Sequence, residues 1–371
     1  MGLSKYRLGD YIKRSTVNNK DLRYGVELIE GVTSDGVFAP PKGNPLDVEL
    51  KPYKIVENGA FVYNPSRLDL GSIAYRRGGL CIVSHLYIVF YLNEKGKKKI
   101  DPEWLFMYFR RDEFCREVTF RNFGSQRPEF NFDDMSDIML PLPDISVQRK
   151  YVAVYKAMVA NQQSYERGLE DLKLTIDAQI EKIKHTAPKL SVAQLLYEVN
   201  IRNSDGAIKN VQGINISKRF MQSVADTNGV DLTKYKVVQK GQFAFSGMQT
   251  GRDECIRIAL CDTEEPIIIS PAYTVFEAKS QMVYPEYIML WFLRGESDRR
   301  GWFMSDSSVR TNLDIDRFFE IKVPVPKKKI QKAIAELYTV YNTRKKINEQ
   351  LKAQIKDICP ILIRGSLEEG G

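Results

Sequence analysis

The sequence has few of the residues on which catalysis and metal binding usually depend. Its 371 residues include only two histidines, and no G-x-x-x-x-G-K-[ST] segment is present to hold nucleotide phosphates. The five cysteines are odd in number and never spaced as C-x-x-C, which argues against a disulfide framework and a zinc site. These absences favour a non-catalytic chain with no cofactor or metal of its own.

Long apolar runs are also missing. No stretch approaches the ~18 residues that a membrane span needs, and Met1-Gly2-Leu3-Ser4 begins no apolar signal core. We therefore expect no membrane partner and a cytoplasmic location. The chain is 43% hydrophobic, and its length allows two or three domains, each able to bury its own core.

The sequence contains an internal duplication. Pro141-Leu142-Pro143 recurs as Pro324-Val325-Pro326, 183 residues later, and the glutamine that follows recurs from Gln148 to Gln331. Upstream, Tyr53-Lys54-Ile55-Val56 recurs as Tyr235-Lys236-Val237-Val238 at a spacing of 182. Solenoid repeats have periods of only ~20 to 50 residues. The duplication therefore predicts two copies of a whole domain with its connector, two equivalent sites and a pseudo-two-fold axis.

Two stretches have the pattern of an α+β fold. Short apolar runs at 81–84 and 87–90, and again at 266–269 and 273–276, alternate with turn residues and predict strands, while 102–114 predicts a helix. The predicted organisation is a first globular domain over 1–144, a central helical segment over 145–188, a second globular domain over 189–326, a C-terminal helical segment over 327–364 and an unstructured tail over 365–371.

Both helical segments carry an apolar stripe at steps of three and four residues. The simplest way to bury two such stripes is to pack the helices on each other, and the duplication makes that coiled coil antiparallel. The alternative is that each helix packs on a globular domain. The residues predicted to form the coiled coil or to dock partners are Tyr165, Leu169, Leu172, Ile176, Ile183, Leu337, Ile347, Leu351 and Ile355.

Polar and basic loop residues recur in both halves. Arginine, asparagine, glutamine and serine read base edges and contact phosphates, and the net charge of +8 favours a polyanionic partner. The candidate DNA-binding residues are Asn64, Arg67, Arg76, Arg77, Arg121, Ser125, Gln126 and Arg127 in the first half and Ser246, Gln249, Thr250, Arg252, Ser308, Arg310 and Asn312 in the second.

Two other functions compete with DNA recognition. Asp262 with Glu277 and Lys279 could hold a divalent metal in a nuclease, although the first half does not repeat them. A coiled-coil scaffold that never binds nucleic acid is the other possibility. Metal-dependent cleavage by the isolated chain would favour the nuclease, and failure to retain DNA at any salt concentration would favour the scaffold.

One segment resembles a known family. The stretch from Gly124-Ser125-Gln126-Arg127 to Pro128-Glu129-Phe130-Asn131 is similar to the G-S-x-x-P-x-[LF]-N segment of specificity subunits from Type I restriction-modification systems. The order of two globular domains and two helical segments is similar over nearly the whole chain. The second copy, at 308–313, lacks the glycine and the proline.

The resemblance implies a subunit that is not itself catalytic. Each globular domain would read one half of a bipartite sequence in double-stranded DNA, and the helices would fix the half-site spacing and dock two modification (methyltransferase) subunits. The resemblance also implies that restriction subunits join the complex, and that S-adenosylmethionine, ATP and Mg belong to partner subunits.

Overall fold

The computed structural model describes residues 3–41, 48–122, 129–223, 229–248, 250–306 and 311–371. The chain divides into two compact units. The first unit combines Met1–Ser164 with Asn348–Gly371, and the second unit is Tyr165–Ile347. Each unit contains one globular part together with a section of both long helices, so each can be described by itself.

The strands of the first unit form small antiparallel sheets. The largest has the order β2-β9-β6-β7, and the pairs β5-β8, β3-β4 and β1-β10 complete the set. The strands are β1 (Lys5–Arg7), β2 (Ile12–Ser15), β3 (Gly31–Val32), β4 (Phe38–Ala39), β5 (Lys54–Val56), β6 (Phe61–Tyr63), β7 (Ile73–Tyr75), β8 (Cys81–Val83), β9 (Ile88–Leu92) and β10 (Met139–Pro141).

The helices of the first unit cover one side of its core. Phe61 and Phe90, on adjacent strands, stack at 5.1 Å, and Phe109 contacts both rings edge-on. Trp104 is fully buried in the same cluster. The helices are α1 (Glu94–Lys99), α2 (Pro102–Phe109), α3 (Asp112–Arg121), α4 (Phe132–Ser136) and the first long helix, α5 (Ile145–Thr186), and short 3₁₀ turns occur at Leu8–Asp10, Val26–Leu28 and Leu68–Leu70.

The second unit has two four-stranded sheets, in the orders β12-β19-β16-β17 and β14-β13-β18-β15, and a β11-β20 pair. Within the second sheet β13 and β18 run parallel. The strands are β11 (Lys189–Ser191), β12 (Leu196–Val199), β13 (Val211–Ile214), β14 (Phe220–Gln222), β15 (Lys236–Val238), β16 (Gln242–Ser246), β17 (Arg257–Leu260), β18 (Ile267–Ile269), β19 (Thr274–Ala278) and β20 (Lys322–Pro324).

Aromatic residues again fill the core of the second unit. Phe318 is fully buried and stacks on Phe245 at 4.1 Å and on Phe292 at 5.4 Å. The helices are α6 (Val192–Leu195), α7 (Thr250–Asp253), α8 (Pro285–Phe292), α9 (Gly295–Met304), α10 (Ile315–Glu320) and the second long helix, α11 (Lys328–Gly370), with a 3₁₀ turn at Leu232–Lys234.

The two units repeat the same topology. The order β2-β9-β6-β7 corresponds to β12-β19-β16-β17, and the terminal pairs β1-β10 and β11-β20 are equivalent. The Ile29–Ile82 parallel bridge of the first unit lies where the second unit pairs β13 with β18. The predicted α+β fold with an internal repeat is therefore confirmed.

The duplicated glutamine holds each long helix to its globular part. The Gln148 amide donates to the Lys99 and Pro143 carbonyls and accepts from the Asp101 backbone N–H at 2.8 to 2.9 Å. Gln331 makes the same three kinds of bond, and both glutamine side chains are buried. An amide suits this position because it supplies two donors and an acceptor to backbone groups that burial removes from water.

Sections of α5 and α11 pack antiparallel in each unit. In the first unit Lys150 pairs with Glu369 at 2.7 Å, and Gln162 bonds to Asn348 at 2.9 Å, so the partner number falls as α5 proceeds. In the second unit the apolar stripe of α5 shares one buried cluster with Ile334, Leu337 and Tyr341. The predicted helix pair is confirmed. No helix in the described ranges has an apolar section long enough to cross a membrane.

Two predicted boundaries are wrong. The helix expected over 102–114 is two helices, because α2 ends at Phe109 and α3 starts at Asp112. The tail expected over 365–371 is helical as far as Gly370, although Pro360 lies inside α11. Burial explains the continuation: Ile363 and Ser366 are fully buried, and Ser366 accepts a hydrogen bond from the Trp104 indole. That packing outweighs a proline cost of about 3 kcal/mol.

Candidate nucleic-acid interface

In the first unit a turn after β6 is tied to the segment that starts α4. Asn64 accepts the backbone N–H of Ser66, which closes the turn. The Phe130 N–H donates to the Pro65 carbonyl at 3.0 Å, and the Tyr63 hydroxyl donates to the Asn131 carbonyl at 3.0 Å. The turn thus lies beside the end of the stretch that resembles the family segment.

The second unit repeats this connection at equivalent positions. After β16 the Gly247 carbonyl accepts the Leu313 N–H at 2.8 Å, and the Thr311 carbonyl accepts the Gly251 N–H at 2.9 Å. Gly247 follows Pro65 by 182 residues, and Leu313 follows Phe130 by 183. Both units therefore join the same two loop regions by the same backbone bond.

The loop regions that precede Phe130 and Leu313 are called the recognition loops below. Each of them ends at a helix cap. Asn131 caps α4 by accepting the backbone N–H groups of Asp133 and Asp134, and Asp134 bonds back to the Asn131 N–H in a capping box. At the equivalent position Asp314 caps α10 by accepting the Asp316 N–H. Such caps stabilise a helix start by about 1 kcal/mol, so the preceding chain enters each helix in a defined direction.

A helix packs against the loop region of each site. In the first unit α3 packs on the 3₁₀ turn Leu68–Leu70. In the second unit α9 packs on α7. A Cβ added to Gly301 of α9 would lie 2.3 Å from Ile256 and 3.5 Å from Thr250, so this approach requires glycine. The loop regions at both sites are therefore held in place by packed helices.

Two predicted arginines point out from these turns. Arg67 is exposed, and its side chain has no hydrogen bond or ion pair within the described ranges. The Arg252 side chain is 69% exposed and lies 3.8 Å from Asp253. A weakly held, exposed guanidinium can reach a phosphate or a base edge at little cost, because no buried partner is left behind.

Two other predicted arginines are held by carboxylates. Arg76 makes a forked contact to Glu30, stacks on Phe38, and its side chain is only 13% exposed. Arg77 makes a forked contact to the buried carboxylate of Glu103. Their positions favour a structural role.

We expect Arg76→Gln to destabilise the first unit without changing base preference. The substitution leaves the Glu30 carboxylate without its forked partner, which should cost about 1 to 3 kcal/mol. Thermal unfolding measures that loss, and a duplex competition assay measures base preference. Arg67→Gln, on the exposed turn, is the matched control and should leave the unfolding midpoint in place. A changed base preference in Arg76→Gln would instead place Arg76 at the DNA.

The remaining described candidates lie close to the two sites but differ in exposure. Asn64 is half-buried in its turn, Arg121 pairs with Glu117 at 2.8 Å, and Asn312 is half-buried beside Asp306. Ser246 and Thr250 are buried, and the Thr250 hydroxyl donates to the Gly247 carbonyl. The candidates Ser125, Gln126, Arg127, Gln249, Ser308 and Arg310 lie outside the described residues.

The duplicated lysine of the Tyr-Lys repeat is not a surface cation. Lys54 donates to the Tyr87 carbonyl, and burial lowers the pKa of its ammonium group. Burial likewise lowers the pKa of Lys236, which lies 3.7 Å from Glu198. Recurrence at this position therefore reflects packing of β5 and β15.

The residues proposed for a nuclease are engaged elsewhere. Asp262 pairs with Lys346 at 2.8 Å, while Glu277 accepts from Tyr197 and Gln242. Lys279 donates to a backbone carbonyl at 3.2 Å. Over the described ranges no group of three or more His, Cys, Asp or Glu side chains is placed to hold a metal ion.

Comparison with known proteins identifies the family. The model of the Type I restriction modification DNA specificity domain matches residues 4–173 and 227–357. The chain therefore belongs to the Type I restriction modification DNA specificity domain family. A search of curated proteins finds no match.

A solved structure shows the same fold, and two others match at lower TM-scores. The S subunit of a Type I restriction-modification system from M. genitalium is 13% identical, with a TM-score of 0.57 over 99% of this chain and 96% of that one. The HsdS subunit from Thermoanaerobacter tengcongensis is 13% identical, with a TM-score of 0.38 and coverage of 99% and 96%. A chain from a study of complex assembly and conformational transition of the type I R-M system is 13% identical, with a TM-score of 0.47 and coverage of 99% and 97%.

Proposed function

We propose that this chain is the DNA-reading subunit of a Type I restriction-modification complex and that each unit reads one half of a bipartite duplex target. The observation that carries the proposal is the repeated loop connection, Pro65 to Phe130 and Gly247 to Leu313, in a member of the specificity domain family. Two equivalent loop sites on one chain suit a target with two separate parts.

The two sites would read different bases. Arg67 follows the first connection and Arg252 the second, but the loops around them share little sequence. Base readout depends on which side chains reach the groove, whereas phosphate contacts only position the protein. A duplicated scaffold with divergent loops therefore supports two unlike half-sites.

The long helices supply a second part of the proposal. Because α5 is one helix from Ile145 to Thr186, it can hold the two half-sites at a set spacing. The same helices would dock two modification subunits, and restriction subunits would complete the assembly. S-adenosylmethionine, ATP and Mg would serve those partners, which would carry out methylation and cleavage.

Binding should weaken steeply as salt is added. If the chain neutralises ~6 to 10 phosphates, affinity should fall by about 10³ to 10⁵ between roughly 50 and 200 mM salt, because each contact releases counterions. Fluorescence anisotropy of a labelled duplex, titrated with the assembled complex, measures the slope. A flat response would contradict DNA binding and favour the scaffold.

A substitution at Arg127 can distinguish base recognition from phosphate contact. Arg127→Ala should cost roughly 1 to 3 kcal/mol of affinity for the first half-site if the contact is bidentate to a base, and recognition of the second half-site should persist. Duplexes with either half-site scrambled provide the measurement. Arg310→Ala is the matched variant in the second half. Equal weakening on every sequence would show that Arg127 contacts phosphate.

A further inference from the structure

The second unit has an open cleft bordered by α9. The cleft has a volume of about 470 Å³ and lies between α9, the last turn of α5 and the β11-β20 pair. Its walls include the apolar surfaces of Trp291, Ile321 and Pro324, and Phe303 stands at its edge with 74% of its surface exposed.

The rim of the cleft is strongly cationic. Its lining includes five cations and one carboxylate, and that carboxylate, Glu296, already contacts Lys184 at 2.6 Å and Arg294 at 3.2 Å. The other four cations are all exposed, and across the described part of the chain none of them has a carboxylate within 4.0 Å. These four are Lys189, Arg299, Arg300 and Lys322. Clustered charge of one sign raises the local concentration of a polyanion.

The first unit shows that the fold does not need all of this charge. At the positions equivalent to Arg300 and Lys322 it has Glu117 and Met139, which are 183 residues earlier. Its counterpart of Arg299 is Arg116, which lies 3.7 Å from Glu113. The two repeats share the exposed phenylalanine, Phe120 and Phe303, and two of the four cations, because Lys189 and Arg299 correspond to Lys5 and Arg116. Arg300 and Lys322 have no cationic counterpart in the first unit. The charge of Arg300 and Lys322 is therefore specific to the second unit, and it calls for a ligand rather than a structural explanation.

The cleft lies beside the second recognition site. Gly301 of α9 is buried and packs on Ile256 and Thr250. Arg299 and Arg300 of the same helix line the cleft. A helix is about 10 to 12 Å wide, so the cleft lies within roughly that distance of the Gly301 packing contact. A duplex has a charge for every ~1.7 Å of its axis, so DNA held at the loops offers phosphates over this distance.

We propose that the cleft binds the DNA sugar–phosphate backbone next to the second half-site, with Lys189, Arg299, Arg300 and Lys322 binding phosphates. This inference rests on the proposed reading of that half-site by the second unit. The interactions are sequence-independent. They make the two half-sites unequal, because more cations contact the DNA backbone at the second half-site than at the first. An acidic protein segment is the other polyanion with suitable charge, and the test separates the two.

Two variants at equivalent positions of the repeats provide the test. Lys189→Gln/Arg299→Gln removes two cleft cations, and Lys5→Gln/Arg116→Gln removes the corresponding residues of the first unit. All four side chains are exposed, so folding should be preserved, and thermal unfolding checks this. The assembled complex is titrated with target duplex over a range of salt concentrations, and phosphate ethylation interference maps the phosphates that the protein binds.

We expect the cleft variant to lower the salt slope by about 0.9 for each phosphate that it no longer neutralises. Interference should disappear at phosphates next to the second half-site while the preferred bases stay the same. The first-unit variant should change neither result. An unchanged slope in the cleft variant, or an equal fall in both variants, would overturn the proposal.

Weakened assembly with partner subunits at an unchanged salt slope would also overturn it and assign the cleft to an acidic protein segment. Failure of the parent complex to bind the duplex would instead contradict the proposed function itself. Lys189→Glu/Arg299→Glu, which reverses the charge, should enlarge the expected fall in affinity if the ligand is DNA.

Discussion

Removing one heptad from both long helices should shorten the spacer of the DNA target by about three base pairs. Deleting residues 166–172 and 341–347 keeps the apolar stripe in phase and spares the Gln162–Asn348 bond. Seven residues at 1.5 Å are about 10 Å, and a base pair occupies ~3.4 Å of the duplex. Both half-sites should keep their base sequences. Methylation mapped across the genome of a strain with the shortened chain gives the spacer directly.

Two controls make the result interpretable. Inserting a heptad at both positions should lengthen the spacer by a similar amount, and deletion from α5 alone should impair assembly because the stripes no longer match. Full activity with an unchanged spacer would show that the helices act as a flexible tether. The deletion removes Leu169, Leu172 and Ile347, which were predicted to contact partners, so the insertion separates docking from spacing.

The second large effect is expected at Gly247. A Cβ on this residue would lie 1.9 Å from the Leu313 carbonyl oxygen, far inside van der Waals distance. Gly247→Ala must therefore displace the backbone that joins the two loop regions of the second unit. Misplaced base-reading side chains there should cost roughly 1 to 3 kcal/mol of affinity for the second half-site, while the first half-site is read as before.

Gly79→Ala is the matched control, because a Cβ at Gly79 would have no heavy atom within 4 Å. It should leave both half-sites and the unfolding midpoint unchanged. Duplexes with one half-site scrambled at a time measure the effect of each variant. Equal weakening of both half-sites by Gly247→Ala would indicate that the two sites do not act independently.

Structural features that depend on local sequence pattern and on the internal duplication were predictable from the sequence. The spacing of Gln148 and Gln331, the apolar runs that became β8 and β18, and the helical stripes all appear as expected, since local pattern and duplication determine them. The roles of individual arginines were not predictable. Arg76 is held by Glu30, which lies 46 residues away in sequence, and only the folded chain brings them together. Composition could not distinguish Arg76 from the exposed Arg67.

Helix ends were misjudged for a related reason. The Leu367-Glu368-Glu369 sequence and Pro360 look unfavourable for a long helix, yet the residues that hold this section, Trp104 and Tyr151, lie far away in the chain. The cationic cleft was not predicted, because the four cations proposed to bind phosphates come from β11, α9 and β20. A sequence pattern can show such residues only when they are close along the chain.

The division of the chain implies an order of events during synthesis. Asn348–Gly371 belongs to the first unit, although Tyr165–Ile347, which forms the second unit, is translated before it. Cys359, Leu362 and Ile363 fill the same core as Val152 and Tyr155. Until the ribosome has released them, that core is incomplete and exposes apolar surface, so the first unit is completed only after the second unit has been synthesised. A premature stop codon near residue 348 would therefore destabilise the first unit, although most of that unit is encoded before residue 165.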